Sequence, residues 1–264
     1  MIHIQNIIKY FHRGSINEVL ALDNISLEVK SGDFITVIGS NGAGKSTLLN
    51  CIAGSFFPEF GRLFLEDQDI TTWPEFKRAH SIGRVFQDPL LGTCASLSIE
   101  QNLALAKRRG IKRGLKRGVT RDDRDYFHRE LKQLGLGLED RLKDKVGLLS
   151  GGQRQALTML MATMVHPELL LLDEHTAALD PKTAQMITDL TLQIVEKLNL
   201  TTLMVTHNMQ QALSMGNRLI MLHQGRIILD IEGEEKDSLQ ISDLLARFYE
   251  QKGEELPSDR MLLV

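Results

Sequence analysis

Two short stretches of this 264-residue chain hold the residue types that handle a polyphosphate. The first, GSNGAGKS from Gly39 to Ser46, fits the spacing G-x-x-x-x-G-K-[ST]. Glycines at Gly39, Gly42 and Gly44 let backbone N–H groups curl around a phosphate, with Asn41 inside the curl. The helix expected to start here turns the positive end of its dipole toward the anion. Lys45 is placed to reach β- and γ-phosphates and the Ser46 hydroxyl to ligate Mg2+, with Thr47 behind them in the first helical turn. The plainer alternative is a glycine-rich strand–helix turn.

The second stretch is LLLLDE, four leucines followed by Asp173 and Glu174. A buried strand would deliver both acids to its carboxyl end, where ligands of open parallel sheets gather. There Asp173 suits holding Mg2+ through its water shell, and Glu174 suits orienting and deprotonating a water. An acid pair capping a helix after a core strand is the alternative. Three further residues fit the same site. Gln87, in VFQDP, is placed to sense the metal and a γ-phosphate. His207, ending TLMVTH, would hydrogen-bond the γ-phosphate or stand as an ordinary surface histidine. Asp180, in ALDP, joins the site or serves as a turn residue before Pro181.

The elements that must position these groups can be read from periodicity. Alternation in the first 35 residues, as in ISLEV at 25–29, predicts half-buried antiparallel strands. FITVIG predicts a buried strand feeding the loop, and Lys45–Ala53 a helix closed by Gly54. GRLFLEDQDI at 61–70 reads as one alternating strand. From about 95 to 165 the spacing turns helical in IEQNLALAKRRG, RDDRDYFHRELKQLG and QRQALTMLMATMV. Strand, helix and strand then return in LLLLDE, TAQMITDLTLQIVEKLN and TTLMVTH, which predicts a parallel sheet with right-handed crossovers. RLIMLHQGRIILDI predicts a hairpin turning at Gln224-Gly225.

Composition narrows the classes. Thirty-one basic residues against 34 acidic ones give a net charge of −3, so no global attraction to nucleic acid follows. Cys51 and Cys94 lack metal-ligand spacing and suit a reducing, cytosolic compartment. The N-terminus lacks a signal-peptide pattern, and no run of about 18 apolar residues is present. A membrane role would therefore act through a partner.

A second glycine-rich loop, GLLSGGQRQ at 147–155, has no lysine after its glycines. GSNGAGKST, Gln87, LSGGQ (Leu149–Gln153), LLLLDE, ALD (Ala178–Asp180) and His207 follow one another as in ABC-type ATPases, and the resemblance covers about residues 2–245. It implies an α/β fold: a P-loop NTPase core of ABC type with an antiparallel β subdomain and an inserted helical subdomain. A single ATPase domain would fill 1–245, with its core at about 1–88 and 166–245, the helical insert at about 89–165, and a polar tail at 246–264. The resemblance implies ATP and Mg2+ as cofactors and a head-to-tail homodimer. In it Ser150, Gly151, Gly152 and Gln153 of one subunit close over the γ-phosphate held by the other. Such a loop needs no lysine, because the partner's own phosphate loop supplies one. Phe11, or adjacent Tyr10, matches the aromatic that stacks on adenine in the family; either could equally be core. The family's proline after the catalytic glutamate is here His175, which adds pH sensitivity or is a neutral change.

A single unit without a long heptad arm disfavours the chromosome-maintenance and translation types. RLKDKVGLLSGGQ also lacks the TEVGERG-like element common in fused exporters. The chain is expected to be the separate motor of a bacterial importer, peripheral to the cytoplasmic face of the cell membrane through an integral membrane permease; the alternatives are a soluble ABC ATPase acting on a macromolecule and the ATPase of an exporter. FITVIGSNGAGKSTLLN, VFQDPLLGTCASLSIEQNLALAKRRG and DEHTAALDPKT resemble an importer group paired with branched-chain-amino-acid-type permeases and an extracytoplasmic solute-binding protein. Some members of that group handle tryptophan or similar amino acids. The permease should dock at about 88–103, near Leu90 and Leu91, unless those leucines are insert core. The run 107–124, nine basic residues against two acidic, faces anionic lipid or is simply a solvated loop. No interleaved aromatics support a nucleic-acid partner.

Overall fold

The computed structural model describes residues 2–252, apart from 112, 113, 115 and 116. The chain opens with β1 (Ile2–Phe11) and β2 (Val19–Val29), passes through β3 (Phe34–Gly39) into α1 (Lys45–Ala53), and returns as β4 (Phe60–Leu65) and β5 (Gln68–Asp69). After α2 (Glu75–Arg78) and β6 (Ile82–Val85) comes the helical insert, α3 (Ile99–Lys107), α4 (Arg121–Lys132) and α5 (Gly151–Thr163). The core resumes with β7 (Leu169–Asp173), α6 (Pro181–Leu198), β8 (Thr201–Val205), α7 (Met209–Ser214), β9 (Arg218–His223) and β10 (Arg226–Glu232). Helices α8 (Glu234–Ser238) and α9 (Ile241–Lys252) follow.

The alternating strands form an antiparallel sheet of order β2-β1-β4-β5. Ile2, Ile4, Ile25, Leu27 and Val29 are among its buried positions and pack in one cluster with Leu48, Leu49 and Ile52 of α1. The apolar runs form a second sheet, β10-β9-β3-β8-β7-β6, parallel except for the β9–β10 hairpin at the edge. Its register sets the site. Val205 pairs with Val37 on one side and Asp173 on the other, and Val85 pairs with Leu172. The loops that begin at Gly39, Glu174, Thr206 and Phe86 therefore leave one edge of the sheet at nearly one level.

The insert has its own core, centred on Ile99, Leu103, Phe127, Leu131, Leu138 and Leu157. Helices α3, α4 and α5 each start with a capping box, at Ser98/Gln101, Thr120/Asp123 and Ser150/Gln153. Such reciprocal caps satisfy backbone donors locally, which accounts for why these starts are readable in sequence. Helix α5 also sends Met159 and Ala162 into the cluster around Leu170 and Leu172, and so ties insert to core.

One expectation is corrected. GRLFLEDQDI is two strands, not one, because the chain turns at Glu66, whose φ is 50°. The four-residue strand β6 has too little alternation to show in sequence and is defined by pairing with β7. Residues 246–252, where the polar tail is expected to start, continue α9, in which Leu244 is buried and Phe248 meets His223 edge-on at 5.5 Å. The remainder of that tail, from 253, lies outside the described residues, as do four positions of the basic run. No helix among the described residues is long and apolar enough to cross a membrane.

Candidate active site

The phosphate loop is shaped by close backbone contact. Gly44, which precedes α1, has φ 100°, and a Cβ there would lie 2.5 Å from the carbonyl oxygen of Ala21. Only glycine meets both demands. Lys45 is buried, and its Nζ donates to the carbonyl oxygens of Gly39 (2.8 Å) and Ser40 (3.2 Å), so the ammonium sits inside the loop. Burial lowers its pKa, and the carboxylates of Glu174 and Asp173 act against that. Asn41, Gly42 and Ser46 are exposed at the mouth of the loop, while Thr47 is half-buried.

Asp173 ends β7 beside an unforeseen cation. Arg84 Nη2 lies 3.3 Å from Asp173 Oδ2, its Nη1 lies 3.4 Å from Ser55 Oγ, and its guanidinium covers the Phe86 ring at 4.5 Å. Sequence reasoning missed Arg84, and only the β6–β7 register could have revealed it. Gln87 is exposed and lines a cleft of about 710 Å³ with Asp173, Arg84, Asn50, Ser55 and Ala178.

Glu174 adopts φ 45°, in the left-handed region, while its N–H donates to Val205 O at 3.0 Å. Its Oε1 lies 2.6 Å from His207 Nε2, so the expected acid and histidine form one pair. Glu174 is nearly buried and His207 half exposed, an arrangement with the carboxylate shielded and the imidazole toward solvent. His175 points the other way and is 2% exposed, with burial holding its pKa down to about 4. Asp180 caps α6 by accepting from Thr183 N–H at 3.1 Å, and that hydrogen bonding lowers its pKa.

The other glycine loop lies apart. Ser150 caps α5 and accepts from Gln153 N–H at 3.3 Å, while the Gln153 side chain accepts from Ser150 N–H at 3.3 Å. Ser150 and Gly151 are exposed, and Gly152 is buried against Thr183 of α6. Neither the cleft of Asp173 and Gln87 nor that of Glu174 and His207 includes any residue from 149 to 153. Phe11 meets Phe56 edge-on at 5.3 Å. Phe56 follows the far end of α1 from Lys45, so Phe11 packs with that end of the helix. Tyr10 lies under Arg13, at 5.4 Å, and its N–H donates to Glu59.

A buried loop lysine, an acid-ended strand of the same sheet, a shielded glutamate–histidine pair and a helical insert define an ATP-binding cassette. The profile of the ABC transporter family matches residues 22–177, more than half the chain, and the chain belongs to that family. A tyrosine transport ATP-binding protein of Clostridioides difficile is 44% identical over 248 residues, spanning 94% of this chain and 98% of that relative. The methionine import ATP-binding protein MetN of Bartonella henselae is 33% identical over 242 residues, 90% of this chain and 66% of that relative. Among solved structures, a dimeric post-hydrolysis ATP-binding cassette, MJ0796, bound to ADP and Pi, superposes with a TM-score of 0.74 at 29% identity. That match covers 88% of this chain and 98% of the cassette. The chain is thus an ABC ATPase, the ATP-binding subunit of a transporter.

Proposed function

We propose that this subunit powers import of a small solute, with an amino acid as the solute class, by hydrolysing ATP at two sites shared across a head-to-tail homodimer. The observation that carries the catalytic reading is the Glu174–His207 pair at 2.6 Å, on the sheet edge from which the phosphate loop also leaves. In this reading Gly39, Asn41, Gly42, Gly44, Lys45, Ser46 and Thr47 bind the phosphates. Glu174 takes the proton of an attacking water, and His207 holds both the glutamate and the γ-phosphate. Ser46, Gln87 and Asp173 form an oxygen-only donor set of few protein groups, which suits Mg2+ shared with phosphate and water. Bound there, Mg2+ would neutralise charge developing on the phosphates. Phe11 is the proposed adenine platform, with Tyr10 as alternative.

The exposed position of Ser150 and Gly151 at a helix N-terminus supports their use on a partner's γ-phosphate, with Gly152, Gln153 and Asp180 beside them. Import and an amino-acid solute are supported by the tyrosine-transport and methionine-import relatives. Docking on an integral membrane permease at residues 88–103 is supported by the exposure of Leu90 (47%) and Leu91 (69%). An extracytoplasmic solute-binding protein completes the system, and the subunit is held peripherally at the membrane.

The test is recovery of partners. The tagged chain, purified from gently solubilised membranes of its native cell, should bring down a multi-spanning permease and a solute-binding protein. Recovery of ribosomes, nucleic acid or soluble proteins alone would instead support a soluble ATPase acting on a macromolecule.

A further inference from the structure

Two threonines one turn apart on helix α6, Thr188 and Thr191, lead by hydrogen bonds to the chain neighbours of Glu174 and His207. The Thr191 hydroxyl donates to Ile187 O at 2.7 Å, and His175 Nε2 lies 3.0 Å from Thr191 Oγ1. A hydroxyl has one proton, and Thr191 spends it inside its own helix. His175 must therefore donate from Nε2, which fixes its tautomer. Both side chains are buried, His175 at 2% and Thr191 at 0% exposure.

One turn earlier the same arrangement recurs. The Thr188 hydroxyl donates to Ala184 O at 2.9 Å and accepts from Gln211 Nε2 at 3.1 Å. Gln211 Oε1 in turn accepts from the Thr206 hydroxyl at 2.7 Å, and that hydroxyl accepts from Asn208 N–H at 3.1 Å. His207 is thus flanked by two anchored neighbours. One chain of hydrogen bonds ends on the residue after Glu174, the other on the residues either side of His207.

We propose that Thr191–His175 and Thr188–Gln211–Thr206 form a two-armed polar clamp by which α6 positions the Glu174–His207 pair for hydrolysis; the proposal rests on the reading of Glu174 as the base. Glu174 needs such support. At φ 45° it occupies a backbone region that a non-glycine residue keeps only when its surroundings hold it there. Its carboxylate must also stay on His207, whose own side chain is half exposed. The clamp residues are positioning residues that act through the pair.

Steady-state ATPase of the full-length chain tests this, with kcat and KM separated. His175→Ala and Thr191→Val should each lower kcat roughly tenfold by misplacing the base, with KM for ATP held within about twofold. His175→Gln, which can place an N–H donor where Nε2 stood, and Thr191→Ser, which keeps the hydroxyl, should recover most of kcat. The double variant His175→Ala/Thr191→Val should be no slower than either single, since both remove one bond. Gln211→Leu lies in the partly exposed arm, and so reads the clamp even where the buried variants fail to fold; it should lower kcat roughly threefold.

Unchanged kcat in the folded variants, a change confined to KM, or His175→Gln as slow as His175→Ala would each overturn the clamp. Glu174→Gln keeps the two failures apart. If it still turns over ATP, the base assignment falls and the clamp with it. If it is inactive while the clamp variants run at the parent rate, only the clamp falls.

Discussion

The two glycine-rich loops share a composition but not a reason for it. In the phosphate loop, Gly44 combines a positive φ with a backbone carbonyl 2.5 Å from any added Cβ, and Lys45 is buried inside the turn it follows. In the loop at 149–153 the backbone is ordinary: Ser150 is extended, and a side chain at Gly152 would meet the Thr183 methyl rather than backbone. The first loop is closed and supplied with its own charge. The second is a capped helix start with exposed donors, and the cation that follows it, Arg154, donates to the carbonyl oxygens of Gly147 and Leu149. Under the proposed function, that contrast suits the first loop to holding an anion by itself and the second to completing a site begun on a partner.

The largest expected contrast is in nucleotide binding. Lys45→Ala should weaken ATP binding by the monomer on the order of a thousandfold, about 4 kcal/mol, through loss of a buried charge-assisted contact. Ser150→Ala should leave monomer binding unchanged and abolish ATP-driven dimerisation. Fluorescent-nucleotide titration and light scattering measure the two, and a monomer-binding defect in Ser150→Ala would break the comparison. Mixing the two variants sharpens it, because the mixed dimer alone carries one intact composite site, and some hydrolysis should return.

Acid should separate the regions next. His175 is neutral when folded, with a pKa near 4 against an ordinary 6.5, so the unfolded chain binds the extra proton first as pH falls. Stability is then full above about pH 6.5 and declines toward pH 4, by at most about 3 kcal/mol. Denaturant titrations at several pH values should show this slope in the parent and lose it in His175→Gln. Hydrogen exchange should show α6, which backs Gly152, loosening before α1.

The two glycines give smaller effects. Gly44→Ala meets backbone and a positive φ and should cost about 3 kcal/mol of stability. Gly152→Ala meets only the end of a threonine side chain and should cost about 1 kcal/mol, relieved by Thr183→Ser. Equal costs, measured by thermal unfolding, would mean that both loops are backbone-constrained. At the docking surface, charge placed at Leu90 and Leu91 should abolish transport while leaving basal ATPase within about twofold, because exposed positions contribute little to the fold.

How legible the molecule was in its sequence follows the range of each signal. Helix α1 starts at Lys45 and ends before Gly54 as its residues announce, since capping and left-handed glycine are decided within a few residues. The hairpin at Gln224-Gly225 is readable for the same reason, with φ of 47° and 76° at the two positions. The phosphate loop and the LLLLDE strand also carried their chemistry on their face.

Other features needed the folded chain, because their partners are distant and polar. Arg84 reaches Asp173 across 89 positions, and no local pattern marks a guanidinium for a particular carboxylate. The lone departure His175 carried no directional information until α6 brought Thr191 within 3.0 Å. Strand β6 exists as a partner of β7, and the helical start of the expected tail exists because Leu244 finds a buried place beside Ala212 and Leu219. Sequence alone determined the phosphate loop, the two ends of α1, the hairpin turn and the long apolar strands, where a residue's own conformation and its near neighbours decide the outcome. Tertiary structure decided which side chains face one another at the sheet edge, because hydrogen bonds and ion pairs form only where packing brings both ends together and removes competing water.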